Sequence, residues 1–230
     1  MEPVTIRIGG KTEFQQADEL IRQTQEAEQT QEAASSGFPK LNVTLKTGGE
    51  AFHKDGQSLD LKLIDFWRWS TSDLVSNATR GILAEYIVAC ALGVADGVRA
   101  EWDSYDLLTP SKVRIEVKSA AYLQSWFHKK LSSIIFSIRP TRSWDANTND
   151  MENDLRRQGQ IYVFCVLSHK DKATVDPLNL EQWEFYLLSA DILNEKFPTQ
   201  KTISLSSLLK LNPCRAKFGE IAACIHKLAP

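Results

Sequence analysis

The chain has 230 residues, of which 43% are hydrophobic, and it carries a formal net charge of -2 with an isoelectric point near 6.1. This length permits one core of good size, so a single main domain is the default expectation. The charge excludes a protein that binds nucleic acid through an overall basic surface, and a local basic face would have to serve instead.

The cysteines and histidines do not form a metal-binding pattern. The four cysteines contain no CxxC pair, and the four histidines lack the spacing of ligands, so we expect no zinc site. Cys90, Cys165 and Cys224 lie among apolar neighbours, and we interpret the cysteines as buried thiols of a reducing cytoplasm. The sequence contains no pattern typical of a signal peptide and no apolar run long enough to cross a bilayer, which predicts a soluble, cytoplasmic protein.

The first part of the chain differs in composition from the rest. Residues 12–36 are dominated by Gln, Glu, Ala and Thr, so any helix there would have almost no apolar stripe. We therefore predict a mobile or partner-dependent arm over residues 1–37; a solvated helix, an oligomerisation arm and a linker all fit this composition. Residues 38–230 would then form one domain with its core at about residues 70–170.

Residues 38–69 contain a candidate strand and a cluster of aromatic side chains. The strand is expected at Leu41–Leu45. The cluster consists of Phe66, Trp67 and Trp69, which we expect to pack in the core because an aromatic cluster in a globular chain is usually buried.

A helix is predicted over residues 73–92. Ser70-Thr71-Ser72-Asp73 offers capping groups, and Gly93 offers a stop. Glu85 lies at the margin of the apolar stripe of this helix, where its charge must be offset by a cation or a hydrogen bond. It could belong to a metal site, or it could simply pair with an arginine such as Arg80.

The segment from Tyr105 to Lys118 predicts a β-hairpin with a charged face. Apolar and charged residues alternate from Val113 onward, so Glu116 and Lys118 point to the same side of a strand. A three-residue loop at Pro110–Lys112 would pair Asp106 with Glu116 on that face, whereas a two-residue loop would turn Asp106 away.

This trio suits the chemistry of phosphodiester hydrolysis. Magnesium prefers oxygen ligands and keeps several waters, so Asp106 and Glu116 together with a substrate phosphate would suffice to hold it. Lys118 could position and activate a water and offset the charge that develops on the phosphate. The alternative is an ordinary ion pair on a solvated strand.

Asp106, Glu116 and Lys118 resemble the signature of the PD-(D/E)xK nuclease superfamily, in which an Asp is followed by a hairpin and Glu-x-Lys. Tyr105 replaces the proline that precedes the aspartate in that family, and the similarity covers about residues 70–170. The resemblance implies a restriction-endonuclease-like fold, Mg²⁺ or Mn²⁺ as cofactor, and DNA as substrate. It also implies that Glu85 binds a second metal or orients the water shell of the first, and that Gln124 contacts a phosphate or a water.

Other residues complete the predicted nuclease. Lys129, Lys130, Arg139 and Arg142 would supply the local positive charge for phosphate contacts. Ser119–Trp126 is expected to form a short helix, and residues 161–167 and 183–188 are expected to form buried strands.

The predicted fold class is therefore α/β, a mixed central β-sheet of about five strands flanked by helices, in a restriction-endonuclease-like arrangement. The function predicted from it is a metal-dependent nuclease that hydrolyses phosphodiester bonds in DNA by a magnesium-activated water. The alternative is a non-catalytic nucleic-acid-binding or assembly protein on the same scaffold. Cutting both strands of a duplex needs two sites, which a homodimer would supply.

Overall fold

The computed structural model describes residues 38 and 40–229, so the arm predicted over residues 1–37 lies outside the described residues. The elements below belong to the compact unit that begins at Asn42. The strands are β1 (Ala51–Lys54), β2 (Gln57–Lys62), β3 (Leu107–Leu108), β4 (Arg114–Ala121), β5 (Ile135–Ser137), β6 (Ile161–Leu167), β7 (Trp183–Ser189), β8 (Thr202–Ser204) and β9 (Cys214–Ala216). The α-helices are α1 (Leu63–Thr71), α2 (Asn77–Leu92), α3 (Ala190–Lys196), α4 (Leu205–Leu209) and α5 (Ile221–Leu228).

A five-stranded sheet in the order β3-β4-β6-β7-β9 forms the centre of the fold. Strands β4 and β6 are parallel, and the other neighbours in this sheet are antiparallel. The prediction of an α/β protein with a mixed central sheet flanked by helices is confirmed.

One face of the sheet packs against α2 and α5. The apolar residues at alternate positions of β4, β6 and β7 form a single core cluster with the buried side chains of these helices. Its largest members with almost no exposed surface are Ile115, Ile161, Leu167, Trp183, Phe185 and Leu187. The alternation that indicated β4 in the sequence therefore reflects burial on this side, whereas the continuous apolar runs that indicated β6 and β7 reflect burial on both faces of the sheet.

The opposite face carries a second core cluster, and it is also the face to which Glu116 and Lys118 belong. Phe136, Phe164 and Leu188 are buried in this cluster together with side chains from α3, α4 and β8. Since successive strand residues point to opposite faces, Glu116 and Lys118 lie on the side of Ala120, which belongs to the second cluster. The rest of β4 thus fixes the direction in which the two charged side chains point.

Helix α2 is shorter than the sequence predicted. It begins at Asn77, with the side chain of Ser76 accepting a hydrogen bond from the Thr79 backbone N–H, rather than at residue 73. Asp73 instead accepts from the backbone N–H groups of Val75 and Ser76 in the turn before the helix. Gly93 ends α2 in a left-handed conformation, with φ of 66°, as expected of a helix stop.

Two other local predictions are wrong. Ser119–Ala121 continue strand β4, because they pair in parallel register with Cys165–Leu167, so the short helix predicted over Ser119–Trp126 is absent. Residues 41–45 form no strand and are exposed.

The aromatic cluster lies on α1 and is largely at the surface. Trp69 is 84% exposed and Phe66 is 48% exposed, so the prediction that the cluster packs in the core is wrong for these two. Trp67 covers Gly48, whose φ of 87° favours glycine.

The cysteines also differ from the prediction of buried thiols. Cys214 and Cys224 are joined in a disulfide that links β9 to α5, and Cys90 is an exposed thiol. Only Cys165, in the middle of β6, is the buried thiol that was expected. Within the described part of the chain, none of the helices has the length and apolar character needed to span a membrane.

Candidate active site

The hairpin formed by β3 and β4 has the register of the three-residue loop, one of the two loops that the sequence left open. Leu107 lies opposite Ile115, and the Thr109 N–H donates to the Val113 carbonyl at 3.0 Å, which closes a loop of three residues, Pro110–Lys112. Lys112, at the end of the loop, adopts a left-handed φ of 65°, as expected of this loop type. Asp106 therefore lies opposite Glu116.

Asp106, Glu116 and Lys118 form one cluster of charges. The Lys118 Nζ lies 2.5 Å from the Glu116 Oε1 and 4.0 Å from the Asp106 Oδ2. The Asp106 Oδ2 also accepts a hydrogen bond of 2.7 Å from the Val117 N–H, which ties this carboxylate to the strand that carries its two companions. All three side chains are mostly buried but keep some exposed surface, so small groups from solvent can reach them.

Gly159 permits the close approach of the chain to Glu116. A Cβ placed on Gly159 would lie 2.7 Å from the Glu116 Cβ and 3.0 Å from the Glu116 backbone N. Both of these atoms are fixed by the strand, so only a residue without a side chain fits there.

Glu85 is held by an arginine other than the one expected. Its carboxylate makes a bidentate ion pair with Arg99, in which Arg99 Nη2 lies 3.0 Å from Glu85 Oε1. Arg80 instead donates to Asn77, Ser119 and the Val75 carbonyl, so the alternative in which Glu85 pairs with an arginine is confirmed, but with Arg99 in place of Arg80. The Glu85 carboxylate adds to the negative charge that raises the pKa values of Glu116 and Lys118, beside the larger effects of burial and of the nearer charges.

Burial and an excess of negative charge both shift the pKa values of the cluster. Burial raises the pKa of Glu116, and the charges of Asp106 and Glu85 raise it further against the opposing effect of Lys118. Burial lowers the pKa of Lys118, but its attraction to Glu116 and Asp106 outweighs burial, so its pKa lies above the ordinary value. Lys118 is therefore an ammonium group at neutral pH.

These features bear on whether the cluster suits a divalent cation. Anionic oxygens in excess over neighbouring cations are the donors that Mg²⁺ and Mn²⁺ prefer. Among residues 38 and 40–229, no three or more His, Cys, Asp or Glu side chains are grouped to hold a metal by themselves. Asp106 and Glu116 supply two carboxylates, and one or two carboxylates suffice for Mg²⁺ when phosphate and water complete its shell.

A cavity of about 510 Å³ opens beside the two carboxylates. Asp106 and Glu116 line it, together with the segment Glu101–Tyr105 and with residues from a hairpin-like loop that runs from Thr141 to Arg156. The residues that this loop contributes are Thr141, Arg142, Trp144 and Met151. A substrate therefore has room next to the charged cluster.

The remaining predicted site residues are distributed differently. Arg142 lines the cavity, whereas Lys129, Lys130 and Arg139 are exposed and lie outside its lining. Gln124 is only 9% exposed; its Nε2 donates to Ser132 at 3.1 Å, and its buried Oε1 has no hydrogen-bond partner in the structure. None of its hydrogen bonds reaches the charged cluster, and its proposed contact with substrate stays a prediction.

Several residues of this region were not identified from the sequence. They are distant from Lys118 in sequence or lie in loops without periodicity, so no spacing rule indicated them: Arg99, Trp102, Trp144 and Gly159. Trp102 and Trp144 each lie next to charged residues in a loop, and this was the signal in the sequence that could have marked them as binding residues.

One comparison with known proteins gives a match. The model of a family described as bacteriophage T4 endonuclease IV matches residues 61–207, a range that contains the hairpin, Glu85 and the loop that borders the cavity. No curated protein and no solved structure matches the chain significantly.

Proposed function

Because the chain belongs to the bacteriophage T4 endonuclease IV family, it is a nuclease, and we propose that it hydrolyses phosphodiester bonds in DNA at the cluster of Asp106, Glu116 and Lys118. We further propose that it depends on a divalent metal ion and that it is a member of the PD-(D/E)xK superfamily.

The observation that carries this proposal is the convergence of the three side chains. The hairpin brings two carboxylates to within 4.0 Å of one ammonium group, beside an open cavity. An ordinary ion pair on a strand needs only one carboxylate and no cavity. The Asp-hairpin-Glu-x-Lys order of these residues supports the superfamily assignment.

Asp106 and Glu116 are the residues that would hold Mg²⁺ or Mn²⁺. When bound, the ion would polarise the phosphate and make a water more acidic. The hydrogen bond from the Val117 N–H to Asp106 keeps that carboxylate beside Glu116, so the two carboxylates that would bind the metal are arranged before any ion arrives.

Lys118, paired with Glu116 and close to Asp106, contributes positive charge to the site. Its ammonium group can donate a hydrogen bond to the attacking water, orient it in line with the leaving oxygen and offset the charge that develops on the phosphate. Glu85 is already paired with Arg99, so we assign it a positioning role through the water shell rather than direct metal binding.

The test is cutting of plasmid DNA and of a single-stranded oligonucleotide in Mg²⁺ by the purified wild type and by Lys118→Ala. We expect the wild type to cut, EDTA to stop the cutting, and Lys118→Ala to lose at least about 100-fold in rate while it keeps its fold and its DNA binding. Lys54→Ala, which removes an exposed lysine of β1, is the matched control and should cut normally.

Two results would contradict the proposal. A pure wild type that cuts no nucleic acid with any divalent ion would overturn the assigned reaction. A Lys118→Ala variant that cuts at the wild-type rate would show that the cluster is structural. Unfolding of Lys118→Ala would be detected by circular dichroism, and Lys118→Met, which keeps the length of the side chain, would then replace it.

A further inference from the structure

Two tryptophans line the cavity beside the cluster of Asp106, Glu116 and Lys118. Trp102 and Trp144 contact each other edge to face, with ring centroids 5.9 Å apart, and both line the cavity that Asp106 and Glu116 also line. Trp102 is 69% exposed, so most of its ring surface is free to contact another molecule. Two large aromatic rings side by side in the wall of a cavity form an apolar patch of the kind that marks binding surfaces.

The loop that carries Trp144 is ordered by its own hydrogen bonds. Trp144 and Met151 form a β-bridge, and the Glu152 N–H donates to the Ser143 carbonyl at 2.8 Å. The Trp144 Nε1 donates to the Asn149 Oδ1 at 3.2 Å, which fixes the orientation of its indole ring. The ring is therefore held in place before a ligand arrives.

The charge of the cavity wall limits what can bind there. Glu101 and Asp103 flank Trp102 in the same lining, so this wall repels a phosphate group and favours an uncharged group with a flat apolar face. Arg142, on the opposite loop, is the cation of the lining. A nucleotide carries an uncharged flat base for the wall at Trp102 and an anionic phosphate for a cation, joined through a single sugar.

We propose that Trp102 and Trp144 bind one nucleobase of the nucleotide next to the scissile phosphate. This inference rests on the proposed function, because it takes the phosphate to lie at Asp106 and Glu116. A phosphate held there carries its base to the same cavity, where stacking on an indole face stabilises the complex without reading the base sequence. The faces of bases in a duplex are covered by their neighbours, so the bound base is unpaired or turned out of the stack.

The experiment is a double-mutant cycle in which one change is made in the protein and the other in the substrate. The cut position is first mapped on a single-stranded oligonucleotide, and two further oligonucleotides then carry an abasic site on one or the other side of it. Wild type, Trp102→Ala, Trp144→Ala and the matched control Trp69→Ala are compared by kcat/KM on all three. Trp69 is an exposed tryptophan of α1 that does not line the cavity.

We expect each cavity variant to lose roughly ten-fold in kcat/KM on the intact oligonucleotide. On one of the two abasic substrates the same variants should lose less than about two-fold, because the base that they bind is already missing. Trp69→Ala should match the wild type on every substrate. Trp102→Phe and Trp144→Phe keep a stacking surface and should retain most of the wild-type rate, which separates stacking from a fold defect.

Equal losses on intact and abasic substrates, or no loss at all, would overturn the role of the tryptophans while the wild type still cuts and Lys118→Ala does not. Absence of cutting by the wild type would instead overturn the proposed function, and the inference with it. The two failures are therefore distinguishable.

Discussion

Gly159 lies against Glu116 so closely that a Cβ added to the glycine would come within 2.7 Å of the Glu116 Cβ. We predict that Gly159→Ala pushes the Glu116 strand away from Asp106 and lowers the cutting rate by at least about ten-fold. The free energy of unfolding should fall by roughly 1–3 kcal/mol, because backbone and Cβ atoms cannot move aside as a flexible side chain can. Nuclease assays and urea unfolding would measure the two effects.

Gly81→Ala is the matched control for that substitution. Gly81 lies inside α2, and a Cβ added to it would meet nothing within 4 Å. This variant should cut at the wild-type rate and gain about 0.5–1 kcal/mol in stability, since alanine is the better helix former. Equal effects of the two substitutions would contradict the importance of the contact between Gly159 and Glu116.

The carboxylates of the site should differ in importance. We predict that Asp106→Asn lowers the cutting rate at least about 100-fold, because it removes the negative charge of one of the two carboxylates that would bind the metal. Glu85→Gln should lose about ten-fold or less, since Glu85 is already paired with Arg99. Steady-state rates in Mg²⁺ would give the order.

Glu152→Gln controls for the loss of an ion pair alone. Both carboxylate oxygens of Glu152 accept from Arg156 Nη2 at the surface, and Glu152 does not line the cavity, so loss of this pair should leave the rate unchanged. A rate for Glu85→Gln as low as that of Asp106→Asn would show that Glu85 holds a metal directly.

The second strand of the hairpin was predictable because a local pattern determines it: the alternation from Val113 to Lys118 shows which side chains share a face. The length of the loop was left open by the sequence, and it is the three-residue loop in the structure that places Asp106 opposite Glu116. The parallel pairing of β4 with β6 is a long-range contact with no local signal, and it is this pairing that extends β4 through Ser119–Ala121 in place of the predicted helix.

The residues that pair with site residues were less predictable, because these contacts also join distant parts of the sequence. Arg99 reaches Glu85 from a loop without periodicity, whereas Arg80, closer in sequence, turns to Asn77 and Ser119. The disulfide between Cys214 and Cys224 was missed because ten residues of separation carry no motif and apolar neighbours suggested a buried thiol.

The disulfide predicts a specific thiol count and a loss of stability. Labelling of the unfolded, unreduced protein should detect two free thiols, Cys90 and Cys165. Replacing Cys214 and Cys224 together by Ala should lower the free energy of unfolding by on the order of 2–3 kcal/mol, because a closed loop restricts the unfolded chain. Detection of four thiols by mass spectrometry would contradict the disulfide.

The basic residues should affect binding through salt-dependent phosphate contacts. Removing Lys129 and Lys130 together should weaken DNA binding and reduce the slope of log K against log salt by about 1.4–1.8, which corresponds to two phosphate contacts. A double replacement of the exposed Lys201 and Lys210 removes the same charge and should leave the slope unchanged. Equal slopes for both double variants would show that Lys129 and Lys130 do not contact the substrate.

The most direct measurement of the central claim is a crystal structure of the wild type soaked in Mn²⁺, with anomalous scattering used to locate the ion. The proposal predicts one strong anomalous peak between the carboxylates of Asp106 and Glu116, next to Lys118, and its loss in Asp106→Asn. No peak at this position, with bound Mn²⁺ elsewhere on the protein, would contradict it.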